Sequence, residues 1–262
     1  MNLIDKFKKE NNGAIPSIMD ERDRLFTKIA SNPKNKNISF PMHYMSKFPP
    51  LVYDQGNSSM CVACSIALIR HIQTYLQTGK SLPFDPLFVY AARTEKMYQG
   101  EGMSPRDAMS IVKNKGITTR EDNFIYCTYP ESISHLKKNE EEWYKLAEPY
   151  KIDSYYSVKT KEEVKLAIMK CGAVTGMFPD YKCLHKPNTS NGISYIPYSI
   201  FDKINKFNGY HEMTIIGWHR TYWIVQNSWG KDYGVNGVVY IPMEYPTIEL
   251  WTCMDTYNES LV

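Results

Sequence analysis

The chain has 262 residues, with a hydrophobic fraction of 43% and a charged fraction of 23%, proportions that suit one large globular domain or two intimate lobes. The 31 basic and 28 acidic residues leave a net charge of +3, too balanced to predict a nucleic-acid partner or a membrane surface. No run approaches the roughly 18 apolar residues of a membrane span, and Met1 to Lys9 lacks the apolar core of a signal peptide, so the expected location is intracellular, or within a virion for a viral source.

In chain order, residues 1–45 stand apart as a polar, Asn/Lys-rich segment holding one amphipathic piece, Ser17 to Phe26. They are expected to be a short propeptide or a fixed belt, with the main domain spanning 46–262. Phe48-Pro49-Pro50-Leu51 predicts an extended approach, because Pro removes a donor and favours extended backbone before it. Val62, Ile66, Ile69, Ile72 and Leu76 recur at three-to-four spacing and predict a largely buried helix over 61–78, stopped by Gly79. Asp85-Pro86 starts a second helix. Ser104-Pro105 starts a third, ending near Gly116. Thr160 and Glu163 form a capping box ahead of Val164 to Met169. Beyond residue 172 short strands are predicted at 173–178, 212–218, 222–226 and 237–241. A helical first half and a strand-rich second half predict an α+β architecture.

Two distant segments carry chemistry. Tyr53-Asp54-Gln55-Gly56-Asn57-Ser58-Ser59-Met60-Cys61 offers a Gln, a turn and a Cys that opens a helix, where the dipole favours a thiolate. Far downstream, Gly209-Tyr210-His211 precedes an apolar strand, and Trp223-Ile224-Val225-Gln226-Asn227-Ser228-Trp229-Gly230 follows. A thiol, an imidazole to protonate a leaving amine, and an amide to orient that imidazole are the parts of cysteine hydrolysis.

These segments resemble the papain family of cysteine peptidases, closest to its bacterial and viral branch. The family carries Gln-Gly before the Cys, and Trp-Ile-Val-x-Asn-Ser-Trp-Gly-x-x-Trp-Gly. Here Tyr233 replaces the second Trp. The family's local signature would make Cys64 the nucleophile, but its reactive Cys lies six residues after the Gln, which selects Cys61. The family's upstream disulfide Cys falls on Ser58. The resemblance implies a two-lobe fold, a helical left lobe and a β-barrel-like right lobe with the active-site cleft between. It implies a cysteine endopeptidase acting through a thiolate–imidazolium pair of Cys61 and His211, with a depressed Cys61 pKa, and a thioester acyl-enzyme. Asn227 would hold the imidazole, Gln55 would donate to the oxyanion, and Trp229 would cover the Asn–His bond. Gly102 and Met103 would meet the substrate backbone and the S2 pocket. The partner is then a protein or peptide substrate, with autoinhibition by the N-terminal segment, and no cofactor or metal is expected. Pro16 to Asp23 and Ser104 to Ala108 resemble segments of the same branch.

Simpler readings stand beside this one. A Cys opening a helix is usually a core residue. Cys61-x-x-Cys64 fits a redox pair but lacks a βαβ setting, and a zinc site there lacks a second ligand pair. His43, His71, His135, His185 and His219 read as surface or core, Asp54 as a turn residue, and Cys127, Cys171, Cys183 and Cys253 as incidental thiols. A silent binding protein, or a thiol acyltransferase or deamidase, would keep the same residues.

Overall fold

The computed structural model describes residues 13–36, 38–93, 100–119, 128–138, 140–199, 201 and 207–255. The Met1 to Lys9 stretch and Cys127 lie outside the described residues. The helices are α1 Thr27–Ala30, α2 Pro33–Lys36, α3 Cys61–Thr78, α4 Pro86–Ala91, α5 Pro105–Lys115, α6 Tyr129–Lys138, α7 Glu140–Ala147 and α8 Lys161–Cys171. The strands are β1 His43–Met45, β2 Ser154–Ser157, β3 Val174–Tyr181, β4 Asn188–Ser190, β5 Ile193–Tyr195, β6 Phe207–His219, β7 Tyr222–Gln226, β8 Val238–Pro242 and β9 Leu250–Met254.

Local chemistry sets the helix ends. Helix α3 is buried on every side from Cys61 to Gln73 and stops at Gly79, which takes the left-handed conformation at φ 69°. The Asp85 side chain accepts from Leu87 N–H at 2.9 Å, and Ser104 Oγ accepts from Asp107 N–H at 3.2 Å, so both prolines sit in a first turn already capped. Thr160 caps α8, but Glu163 reaches back to Lys159 N–H at 2.8 Å, completing only half of the expected box.

The helices α3 to α7 close one apolar core, which includes Ile66, Phe88, Val112 and Leu136. A second core lies under the sheet, with Val164, Phe178, Trp218 and Ile241. The sheet runs β2-β9-β3-β6-β7-β8-β5-β4, with β1 paired to β6. It does not close into a barrel: β2 and β4 remain the two ends of that path. The longest strand, β6, joins the lobes. It pairs with β3 and β7, and Thr214 Oγ1 donates to the Ser65 carbonyl of α3 at 3.4 Å.

The amphipathic piece 17–26 is not a helix. Arg22 N–H bonds Asp20 Oδ1 at 2.9 Å and Asp23 N–H bonds the Asp20 carbonyl at 3.0 Å, which folds the backbone into turns. Ile18 and Met19 consequently point into solvent.

Candidate active site

Cys61 is the first residue of α3, and Met60 ahead of it offers no side-chain cap. The turn before it is held from across the molecule. Gln55 N–H bonds the Ser228 carbonyl at 2.8 Å, and Gly230 N–H bonds the Tyr53 carbonyl at 3.1 Å. Gln55 is buried. Its Oε1 accepts from Ser228 Oγ at 2.6 Å, and its Nε2 donates to the Ser58 carbonyl at 2.8 Å. The Gln-Gly turn and the Asn-Ser-Trp-Gly stretch, so far apart in sequence, are therefore one hydrogen-bonded unit. Asp54 Oδ1 accepts from Gly56 N–H at 2.9 Å, the turn role expected of it.

His211 sits on β6 opposite Phe178 of β3. Its Nε2 bonds Asn227 Oδ1 at 2.7 Å, and both side chains are buried. Asn227 Oδ1 also accepts from Ser228 N–H at 2.7 Å, which fixes the amide oxygen towards the ring. Trp229 lies 4.5 Å from His211 between ring centroids, tilted by 30°, and shields the bond. Tyr233 meets Trp229 edge-on at 5.0 Å and donates to the Leu184 carbonyl at 2.7 Å. These contacts leave Nδ1 as the imidazole atom not engaged by Asn227.

Residues 13–15 run through the cleft. Met103 N–H bonds the Gly13 carbonyl at 2.9 Å, Ile15 N–H bonds the Met103 carbonyl at 3.0 Å, and Ala14 N–H bonds the Tyr210 carbonyl at 3.3 Å. A Cβ added to Gly13 would stand 3.0 Å from Cys61 Sγ and 2.8 Å from the Ser59 carbonyl oxygen. The strap thus touches Cys61 with one residue and the neighbour of His211 with the next, so these two side chains flank the same stretch of cleft. Gly13 (φ 102°) and Gly102 (φ 88°) approach so closely that a Cβ on Gly102 would meet the Gly13 carbonyl oxygen at 2.6 Å. Of the expected substrate-facing pair, Met103 supplies the N–H and C=O. Gly102 supplies clearance: its own N–H goes to Tyr90 Oη at 2.9 Å and its carbonyl accepts from Arg93.

Electrostatics differ from the sequence expectation. Burial pushes the Cys61 thiol up to about 12, only partly offset by the backbone N–H groups of Glu212 and Val62. Burial lowers His211 to about 4, against the opposing pull of Asn227 and Asp180. The expected depressed thiol and charged pair are therefore not those of this closed arrangement, which excludes the water that would solvate them. Glu212, next to His211, is also buried, accepts from Thr175 Oγ1 at 2.5 Å and has its pKa raised well above the ordinary carboxylate value.

The structure brings together Gln55, Cys61, His211, Asn227, Trp229, Gly102 and Met103. Sequence reasoning missed the groups that hold the Met103 edge. Arg93 is buried against the Tyr129 ring at 3.4 Å and the Tyr90 ring at 4.6 Å, while Glu101 accepts from Tyr90 Oη at 2.7 Å. It also missed Asp180 and His185, which lie behind Trp229. No spacing in the sequence marks them.

A family profile described as papain family cysteine protease matches residues 49–253. Procathepsin L of Felis catus is 23% identical over 205 residues, covering 72% of this chain and 55% of that protein. Serine-repeat antigen protein 5 of Plasmodium falciparum is 23% identical over 235 residues, covering 75% of this chain and 22% of that protein. The chain thus spans about half the length, or less, of these curated relatives. Among solved structures, xylellain, a cysteine protease from Xylella fastidiosa, superposes with a TM-score of 0.80 at 22% identity, covering 95% of this chain and 97% of that one. ProCathepsin B S9 from Trypanosoma congolense gives 0.70 at 16% identity, covering 95% and 88%.

Proposed function

The chain belongs to the papain family of cysteine proteases, and from that premise we propose that it is a cysteine endopeptidase whose own residues 13–15 hold the cleft closed. The observation that carries this reading is the strap itself. It is an extended peptide, paired by its backbone to Met103 and Tyr210, with Gly13 against the Cys61 sulfur. A groove that binds one extended peptide beside a thiol can bind another.

With the strap displaced, water and substrate would reach the thiol and imidazole, and the proton would pass from Cys61 to His211. The thiolate would attack the scissile carbonyl carbon. The oxyanion would receive the Cys61 backbone N–H and the Gln55 Nε2 proton not given to Ser58. His211 would return its proton to the leaving amine as the C–N bond breaks, leaving a thioester on Cys61. Water, deprotonated by His211, would then hydrolyse the thioester and restore the thiol. Asn227 would keep the ring facing the sulfur throughout, and Trp229 would keep water from competing for the Asn227 oxygen.

Phe26 and Ile29 are buried in the second core and β1 is part of the sheet. We therefore assign the displaceable part of the N-terminal segment to the residues ahead of Phe26. The test is Gly13→Val in the full chain. Its side chain would collide with Ser59 and Cys61 at a backbone angle that Val rarely adopts. Peptide cleavage and labelling by the epoxide E-64 should both rise at least ten-fold, with the adduct on Cys61, lost in Cys61→Ala and kept in Cys64→Ala. An adduct on Cys64, or a folded Gly13→Val protein that neither cleaves nor labels, would sink the reading.

A further inference from the structure

A second imidazole stands beside the catalytic one. His185 ends the tight turn Lys182–His185 that follows β3, and its ring stacks on Trp229 at 4.8 Å between centroids and 20° between planes. The same indole covers His211, so the two imidazoles are no more than one indole apart. His185 Nε2 bonds Asp180 Oδ1 at 2.7 Å. The Asp180 side chain is 1% exposed, whereas that of His185 is 43% exposed. The turn is pinned by the Tyr233 hydroxyl, which donates to the Leu184 carbonyl at 2.7 Å. The residue that departs from the family's second Trp is therefore the one that ties down the His185 turn.

A buried carboxylate beside an exposed imidazole favours the imidazolium, and Asp180 does raise the His185 pKa. The ring's other nitrogen, Nδ1, would then be a fixed N–H donor carrying positive charge. Among the described residues, the charged and titratable groups around it include Asp180 on β3, His211 on β6, Tyr233 behind Trp229, and Lys182, Cys183 and Lys186 on or next to its own turn. Its position follows from the chemistry proposed above. His211 gives its proton to the leaving amine, so the leaving half of a substrate passes over His211 and its cover, Trp229. The anions that an unmodified peptide can bring there are carboxylates.

We propose that His185, oriented by Asp180 and stacked on Trp229, is a specificity residue that binds a carboxylate on the leaving half of the substrate. The carboxylate comes from a free C-terminus near the scissile bond or from an acidic side chain. The proposal rests on the peptidase reading for its direction along the substrate, though not for the binding itself.

Three peptides of one sequence test it in the full chain: a free α-carboxylate, a C-terminal carboxamide, and a carboxamide with Glu in the leaving half. Cleavage is measured at pH 5.5 with the full-length Gly13→Val protein, whose strap is displaced, and binding by fluorescence anisotropy with Cys61→Ala, where the strap competes equally with all three. The expected result is a preference of five-fold or more for one carboxylate peptide over the neutral one, in kcat/KM and in Kd. His185→Gln should abolish it and His185→Lys should keep most of it. Preference for the free terminus assigns release of short C-terminal fragments, and preference for Glu assigns side-chain recognition. Equal treatment of the three peptides, or a preference that survives His185→Gln, overturns the proposal. Carboxylate-selective binding without cleavage would overturn the peptidase reading and leave the subsite standing.

Discussion

His211 spends its folded life without water, and its acidity records that. In an unfolded chain the imidazole would take up a proton near pH 6.5, whereas in the closed cleft burial delays this to about 4. As pH falls through that window the unfolded chain binds the proton first. Each pH unit then weakens the folded, closed state by about 1.4 kcal/mol, until near pH 4 about 3 kcal/mol has been lost. The stabilisation is fully present above about 6.5. Urea denaturation at pH 7 and pH 4.5 checks this. The wild type should lose more stability between the two than His211→Gln does, and equal losses would show that other groups set the acid response. The sequence marked Gln55, Cys61, His211 and Asn227 as candidates because each has a local pattern around it, and the structure places them at one cleft. It could not disclose Arg93 or His185, whose meaning comes only from the rings they meet. A histidine five residues after an aspartate looks like any surface pair until Trp229 is laid beneath it.

Among the elements, those with chemistry in their own ends were legible. Gly79, Asp85, Ser104 and Thr160 each punctuate a helix by a bond or a conformation within a few residues, and the reading placed those four helices. The β-branched run of β7 was placed to the residue. Helix α6 carries a signal of the same kind that the sequence reading passed over: Glu131 accepts from Thr128 N–H at 2.7 Å, half of a capping box. Strands β2 and β9 exist because they pair with each other, Ser154 opposite Met254, a partnership no local window contains. The junction of α5 with the end of α7 is the sharpest of these long-range fits. Gly116 ends α5 at φ 90°, ψ −159°, and an added Cβ would run into the Ala147 carbonyl. Gly116→Ala should therefore cost roughly 3 kcal/mol from backbone conformation alone. Urea denaturation would show the midpoint falling with little change in slope. Gly79→Ala, whose Cβ meets nothing within 4 Å, is the control and should lose far less.

Across the whole molecule, polar ties join the two lobes and the strap, and Arg106 makes two of them. Its Nε bonds Asp23 Oδ1 at 2.5 Å and its guanidinium bonds Asp20 Oδ2 at 2.6 Å, fastening the strap's far end to α5. The site is partly exposed, so the tie should contribute about 1 kcal/mol. Arg106→Gln should accordingly raise E-64 labelling of Cys61 by roughly five-fold. High salt should raise labelling in the wild type and barely affect the variant. Identical labelling rates would mean that the three backbone bonds of residues 13–15, with the Ser17 N–H bond to Glu249 Oε1, hold the strap without the Arg106 side chain. Those bonds belong to a peptide that is covalently part of the protein, so the groove meets it at an effective concentration in the millimolar range. Such a ligand is not removed by dilution, and closure follows first-order kinetics at any protein concentration. One cut between Ile15 and Asp20 would change that. The fragment carrying Gly13 would become an ordinary dissociable molecule, free to diffuse away, and the open state would then be permanent.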